Sequence, residues 1–392
     1  EMGLGKTYLS LVDFMQCVAE GKVTQALVIC PNSFKSGWID EIQDKDIPVA
    51  PFVYSSRDRF HPFLTEKHDL PPVVIVNFEA IRSGQVVTKL VAYMSKAPTF
   101  LIIDESIQIK TPRAKQTKGV HQLAAWAKEV RLLSGLPSTQ GPHDLWSQLA
   151  VIGAPVGGFY SFRNKFCEMG GYMGKQVIGA RDADKLSKLM APHVFFAKKA
   201  DFTDLPPKVY TTRAYEMGAR IKKLYKSMRD DFVAYLSDEK VVTVDVAIAK
   251  YRKMAQIQSG FIIDGDRYED LEPALGNTRI AAVRDILETE LEGKACVVYV
   301  HRHAKDLLVE ALADFNPAVM SGGMPKEAID EQKAKFAGDP SCRIFLLQHT
   351  VGKYGHTLLG GPEKVDNCAT MIFFETSYSL DDRSQIEDQI HR

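Results

Sequence analysis

The strongest constraint on the fold is a series of short apolar runs, each closing on polar or turn-forming residues. Gln25–Cys30 runs into Pro31-Asn32-Ser33, and Val73–Val76 into Asn77-Phe78-Glu79. Leu101–Ile103 runs into Asp104-Glu105, and Val130–Leu133 into Ser134-Gly135-Leu136-Pro137. Runs bounded in this way read as buried strands, and Phe34–Ile42 after the first reads as a helix. Buried strands alternating with helices build a parallel α/β sheet, whose ligands gather at the carboxyl ends of the strands. The polar residues after all four runs fall at that edge.

Ahead of the first run stands Glu1-Met2-Gly3-Leu4-Gly5-Lys6-Thr7. It matches the back end of the phosphate loop G-x-x-x-x-G-K-[ST], so the chain reads as beginning inside its own motif. Gly3 and Gly5 let backbone N–H groups curl around a polyphosphate. Lys6 suits the β- and γ-phosphates, and the Thr7 hydroxyl suits Mg²⁺. Tyr8, Leu9, Leu11, Val12 and Met15 follow at helical spacing, which places the phosphate at a helix N-terminus. Asp104-Glu105 supplies the complementary acids, Asp104 for Mg²⁺ and Glu105 to polarise an attacking water. Alone, the first motif reads equally as a chance turn and the second as two solvated carboxylates. In one α/β unit they reinforce each other.

At 392 residues the chain exceeds a single core and suits two domains. From about 157 to 192 the pattern is helical and glycine-punctuated, and Leu205-Pro206-Pro207-Lys208 then breaks it before an expected strand, Val209–Ala214. Glu216–Leu236 and Val246–Ser259 read as amphipathic helices whose basic residues form a solvated face by default, with phosphate contact as the alternative. The α/β rhythm resumes near Gly276 with strands at Ala295–Val300, Arg343–Leu347 and Met371–Phe374, a helix at Ala304–Ala313, and a closing helix holding Gln385–Arg392. The expected domains are therefore 1–213 with a helical insertion at 157–192, a helical linker or protrusion at 214–275, and 276–392.

The 49 basic and 49 acidic residues balance, which argues neither for nor against nucleic acid, since binding needs local charge. Six cysteines without a C-x-x-C pair read as reduced, mostly buried thiols of a cytosolic protein. No apolar run reaches the roughly 18 residues of a membrane span, and no signal peptide is legible. The expected location is cytoplasmic, or nuclear in a eukaryote.

EMGLGKT, LVICPNSFKSGWIDEI, VVIVNFEAI, LIIDESIQIKTPRAKQTK, RLLSGLPSTQGPHDLWSQL and QIEDQIHR occur in that order. They resemble the successive motifs of the Swi/Snf-type (Snf-like) branch of superfamily-2 helicase-related ATPases, across essentially the whole chain. The compact insertions and the DES tripeptide resemble short bacterial and phage members. The resemblance implies two RecA-like lobes with parallel sheets joined by a helical insertion. It also implies ATP and Mg²⁺ as ligands, double-stranded DNA as partner, a monomer, and ATP-driven translocation along the duplex.

Carried over by residue, Gly3, Leu4, Gly5, Lys6 and Thr7 match motif I, and Asp104 and Glu105 match motif II. Ser134, Gly135 and Pro137 match motif III, which couples hydrolysis to movement, with Leu136 in place of the usual threonine. Motif Ia maps to Pro31, Asn32, Ser33, Lys35 and Trp38. Asn32, Ser33 and Lys35 suit DNA phosphates, while Trp38 reads as core packing. Phe78 lies in the motif Ib region on the DNA side, and Asp144–Leu149 resembles a structural helix of the family. In the second half, Val297–Arg302 resembles motif IV, with His301 or Arg302 available to phosphates. Gln348–Leu358 is a loose match to motif V, giving Thr350 to DNA and Gly352 to nucleotide; Gly355 and Leu358 also fit. Gln385, Asp388, His391 and Arg392 match motif VI, with Gln385 in the catalytic set and Arg392 as an arginine finger. Gln389 stands where the family usually has a second arginine, for which Arg383 is a substitute. His349, His356 and Cys368 are too irregularly spaced for a metal site. Two alternatives remain, a strand-separating or annealing helicase and a catalytically weak, nucleotide-gated DNA-binding protein.

Overall fold

The computed structural model describes residues 3–55, 67–171, 174–202, 206–237, 244–264, 267–352, 368–377, 379–388 and 390. The chain divides into two compact units, Glu1–Leu205 and Pro206–Arg392. The stretch 214–275 therefore falls within the second unit.

The first unit is built on a five-stranded parallel sheet. Its strands are β1 (Gln25–Cys30), β2 (Ala50–Val53), β3 (Pro72–Asn77), β4 (Thr99–Ile103) and β5 (Glu129–Leu132), in the spatial order β2-β3-β1-β4-β5. Side chains alternate across a strand, so each strand feeds two cores. Leu27, Ile29, Val74, Val76, Leu101 and Ile103 pack under the helices Gly84–Met94 and Lys115–Ala124. Ala26, Val28, Cys30, Val73, Ile75, Phe100 and Ile102 face the helices Lys6–Ala19 and Lys35–Asp44 on the other side. Burial on both faces is why β1 reads as an uninterrupted apolar run. Each such Val, Leu or Ile contributes roughly 1.5–3 kcal/mol relative to exposure. Its one polar member, Gln25, is satisfied at the amino end, where Nε2 donates to Tyr93 O, Ala97 O and Thr99 Oγ1 at 3.1, 3.1 and 2.7 Å. Gly119 lets the helix Lys115–Ala124 approach closely, because a Cβ there would sit 2.6 Å from Ile81 Cγ2.

The stretch 157–192 is only partly helical. The helices Phe159–Phe166 and Ala183–Met190 flank an antiparallel pair, β6 (Cys167–Gly170) and β7 (Gln176–Ala180). They close over a satellite core of Leu145, Leu149, Phe162, Phe166, Leu186 and Met190.

In the second unit the helices Ala219–Ser237 and Val244–Gln258 lead into an antiparallel pair, β8 (Phe261–Asp264) and β9 (Arg267–Asp270). A four-stranded parallel sheet follows in the order β11-β12-β10-β13, with β10 (Ala295–Tyr299), β11 (Ala318–Met320), β12 (Ile344–Gln348) and β13 (Thr370–Phe373). Alternation again splits β10: Ala295, Val297 and Tyr299 pack with the helix Arg302–Ala311, whereas Cys296 and Val298 pack with Phe336, Cys368 and Ile386.

The expected strand at Val209–Ala214 is absent; these residues have neither strand nor helix structure. The β-branched alternation has no neighbouring strand to pair with, and Val209 is 83% exposed. Polar side chains hold the segment instead, Arg213 to Asp285 and Glu290, and Lys208 and Tyr210 to Glu387. All six cysteines are buried and none is in a disulfide. Among the described residues no helix is long and apolar enough to cross a membrane.

Candidate functional site

The loop before the first helix has the backbone that its glycines predict. Gly3 and Gly5 lie at φ 76° and 66°, left-handed conformations that favour glycine. The helix Lys6–Ala19 then starts without a side-chain cap. Its first intrahelical bond runs from Leu9 N to Gly5 O at 2.9 Å, so the amides of Lys6, Thr7 and Tyr8 have no acceptor inside the helix. The positive dipole end of the helix and the Lys6 ammonium together suit a polyphosphate.

Asp104 and Glu105 sit at the carboxyl end of β4, where Asp104 N donates to Ile29 O of the central strand at 2.8 Å. The Asp104 side chain is buried. Its Oδ2 accepts the Trp38 indole N–H at 3.1 Å and its Oδ1 accepts Glu105 N at 3.0 Å. Burial pushes the carboxyl above the usual range, against the downward pull of Trp38, the Lys6 charge and the Glu105 amide. A buried carboxylate with spare lone pairs, within the field of Lys6, fits a hard divalent cation. Mg²⁺ would be held by Thr7 and Asp104. Glu105 carries φ 52° and ψ 56°, a left-handed backbone unusual outside glycine. Such strain concentrates at functional sites and costs about 1–3 kcal/mol.

A polar network ties this edge to the loop after β5. Ser106 N donates to Leu133 O at 2.9 Å, and Ser106 Oγ donates to Gln148 Oε1 at 2.7 Å. Gln148 Nε2 reaches Pro137 O at 2.7 Å, and Asp144 Oδ2 accepts Thr139 N and Gln140 N, both at 2.9 Å. The helix expected to be structural thus clamps 137–140 against Ser106, the residue after Asp104-Glu105. Within this loop Ser134 Oγ is buried without a hydrogen-bond partner among the described residues.

The expected phosphate contacts are distributed as follows. Asn32 and Ser33 are exposed beyond β1, while Lys35 is half-buried with Nζ donating to Tyr54 O at 3.1 Å. Trp38 is buried, as its reading as core predicts, but its N–H has the second task on Asp104. Phe78 requires correction. It is 3% exposed and packs with Val86, Leu90 and Val120, so its ring offers no face to nucleic acid.

In the second unit His301 lies just past β10, its Nδ1 2.9 Å from Glu375 Oε1. Glu375 is buried just past β13 and also accepts Val300 N at 2.7 Å, His301 N at 2.8 Å and Ser259 Oγ at 2.7 Å. Burial raises its pKa, but the bonds and charge of His301 and the Ser259 hydroxyl outweigh it and hold the carboxyl below its usual range. Arg302 and Thr350 are exposed. Gly352 is buried, and a Cβ there would meet Leu347 Cδ2 at 2.7 Å, so packing rather than the approach of a nucleotide accounts for this glycine. His349 Nε2 pairs with Ser377 Oγ at 2.7 Å, and Gln385 is buried on the helix Leu380–Glu387. Gly355, His356, Leu358, Gln389, His391 and Arg392 lie outside the described residues.

Sequence reasoning missed Glu375 and the second role of Trp38. A buried tryptophan needs a partner for its N–H, which signals that an acceptor exists without naming Asp104.

A family model described as SNF2-related domain matches residues 1–262. The Drosophila melanogaster SWI/SNF-related matrix-associated actin-dependent regulator of chromatin subfamily A-like protein 1 is 23% identical, across 100% of this chain and 48% of that protein. Protein p41 of Acyrthosiphon pisum secondary endosymbiont phage 1 is 24% identical, over 99% of this chain and 83% of its own. The Sulfolobus solfataricus SWI2/SNF2 ATPase core in complex with dsDNA aligns over 96% of this chain and 76% of that one, with 20% identity and a TM-score of 0.44. The chain spans about half the length of the Drosophila relative.

Proposed function

Because the chain belongs to the SNF2-related family of Snf2-type, helicase-related ATPases, we propose that it is a DNA-dependent ATPase that translocates along duplex DNA without separating the strands. The observation that carries this reading is the buried Asp104, held at the sheet edge by Trp38 beside the strained Glu105 and within the field of Lys6.

In this mechanism the N-terminus of the first helix and Lys6 hold the ATP phosphates. Mg²⁺, when bound, neutralises charge on those phosphates, and Thr7 and Asp104 hold it. Glu105 orients the attacking water and takes its proton. Ser134 reports the state of the site through the loop clamped by Asp144 and Gln148. Asn32, Ser33, His301, Arg302 and Thr350 meet DNA phosphates, and Arg392 is the arginine finger. Phosphate contacts fix register without reading sequence, so binding tolerates any sequence and weakens steeply with salt.

The test is steady-state ATP hydrolysis with no nucleic acid, single-stranded DNA, duplex DNA and duplex RNA, with Lys6→Ala as the blank. Stimulation by duplex DNA alone is expected. Equal stimulation by single strands would replace this reading with a strand-separating helicase, and tight duplex binding without turnover would leave a nucleotide-gated clamp.

Ser134→Ala gives a second expectation. Removing an unpartnered buried hydroxyl should leave thermal stability unchanged or raise it slightly, since such a group costs about 1–3 kcal/mol. Duplex stimulation should nevertheless fall, because the hydroxyl's partner belongs to the working cycle. Unchanged stimulation would remove Ser134 from the coupling path.

A further inference from the structure

Arg131, Arg213 and Arg284 each pair with two carboxylates. Three arginines of the first unit are held by neutral groups instead. Arg82 Nε donates to Gln116 Oε1 at 2.9 Å, in the first turn of the helix Lys115–Ala124. Arg113, just ahead of that helix, donates from Nη2 to Tyr160 Oη at 2.8 Å. The Arg163 guanidinium lies 5.3 Å over the Tyr160 ring, and its Nε is buried without an acceptor among the described residues. Among the described residues none of the three is in an ion pair. The chain as a whole balances 49 basic against 49 acidic residues, so this is a local excess, and local charge is what binds a polyanion.

The cluster is held in place before any ligand arrives. Trp146 Nε1 donates to Gly157 O at 2.9 Å, which fixes the entry to the helix Phe159–Phe166. The Trp146 ring meets Phe159 edge-on at 5.5 Å and stacks on His121 at 6.0 Å. Phe162 and Phe166 bury the inner side of the same helix. Tyr160 is left exposed, beside the exposed Arg113 and the half-buried Arg163. Its hydroxyl oxygen accepts from Arg113, so its own proton is available to an acceptor. A phosphodiester oxygen only accepts, and the three side chains offer it donors and positive charge.

We propose that Arg113, Tyr160 and Arg163 form a clasp for a phosphodiester of the duplex backbone, a contact additional to the motif residues. The inference rests on the duplex-DNA reading above. Placement favours DNA over the nucleotide. The helices Gly84–Met94 and Lys115–Ala124 cover one face of the first sheet, and the helix Lys6–Ala19 that follows the phosphate loop covers the other. Arg82 and Arg113 each stand just ahead of a helix on the face away from that loop.

The experiment follows binding of a fluorescently labelled DNA duplex to the full chain by anisotropy across a salt series, for wild type, Arg113→Gln, Arg113→Lys and Tyr160→Phe. Arg113→Gln should weaken binding about tenfold and lower the slope of log affinity against log salt by about 0.9, the value of one phosphate contact. Arg113→Lys keeps the charge and should keep the slope. Tyr160→Phe removes a donor but no charge, so it should keep the slope and weaken binding about fivefold. Tm and the affinity for a fluorescent ATP analogue without DNA should match wild type in all three. A wild-type slope in Arg113→Gln, weakened binding of the ATP analogue, or a loss of duplex affinity matched by a collapse in Tm would each overturn the proposal. A wild type that binds no duplex would remove the DNA reading and this inference together. A wild type that binds duplex beside an Arg113→Gln of equal slope would remove this inference alone.

Discussion

Glu105→Gln is expected to lower duplex-stimulated ATP turnover by about 10²–10⁴-fold while nucleotide binding is retained. The substitution keeps the length and shape of the side chain and removes only its ability to take a proton. Lys6 and the N-terminus of the helix Lys6–Ala19 are untouched, so a fluorescent ATP analogue should still bind. Lys6→Ala should lose both. The backbone at Glu105 sharpens the test, because φ 52° and ψ 56° are left-handed values that cost a non-glycine residue roughly 1–2 kcal/mol. Glu105→Gly relieves that strain but loosens the unfolded chain, which offsets roughly 0.4–1 kcal/mol of the gain. The net expectation is a Tm equal to or slightly above wild type in a protein that does not turn over. A variant that is both stable and inactive would show that the fold bears the strain to keep this carboxylate at the position. Turnover of Glu105→Gln within threefold of wild type would exclude Glu105 as the base.

The residues that could be read from sequence are those whose environment is local or uniform. β1 has the bounds its run predicts, Gln25–Cys30, because a strand buried on both faces is apolar at every position after Gln25. Gly3, Gly5, Asp104 and Glu105 are legible because loop geometry and strand ends are set by neighbours in sequence. β2 and β11 escape notice because short edge strands carry little pattern, and β2 includes Pro51. Long-range partners are invisible for a different reason. Trp38 and Asp104 are 66 residues apart, and Ser259 and Glu375 are 116 apart. Nothing in either local sequence names its partner. Phe78 and Gly352 show the reverse error, since each lies in a motif that resembles a ligand-facing one, and each is used here for packing.

Glu375→Ala is expected to destabilise the second unit by about 3–5 kcal/mol, the usual cost of breaking a buried charged pair. The carboxylate accepts from Val300 N, His301 N and Ser259 Oγ and pairs with His301 Nδ1, so its loss strands buried donors at the ends of β10 and of the helix Val244–Gln258. Glu375→Gln is the finer probe. Its amide NH₂ would face two backbone donors that now meet a carboxylate oxygen, and it has no charge to titrate. The folded-state pKa lies below the ordinary 4.5 despite burial. The stability it supplies is therefore fully present above about pH 4.5 and is lost as pH falls through the folded value. Urea midpoints of the wild type should hold steady above pH 4.5 and drop below it, whereas Glu375→Gln should start lower and lose less in acid. Parallel curves for the two proteins would show that this carboxylate does not govern the acid limb. The same pair fixes the chemistry of His301. An ionised carboxylate only accepts, so Nδ1 carries a proton, and a phosphate oxygen, which also only accepts, can be met by Nε2 only in the doubly protonated ring whose charge Glu375 offsets. Glu375→Gln should therefore weaken duplex binding as well, and His301→Ala should remove that second effect while costing less stability, because Glu375 keeps its backbone and Ser259 donors.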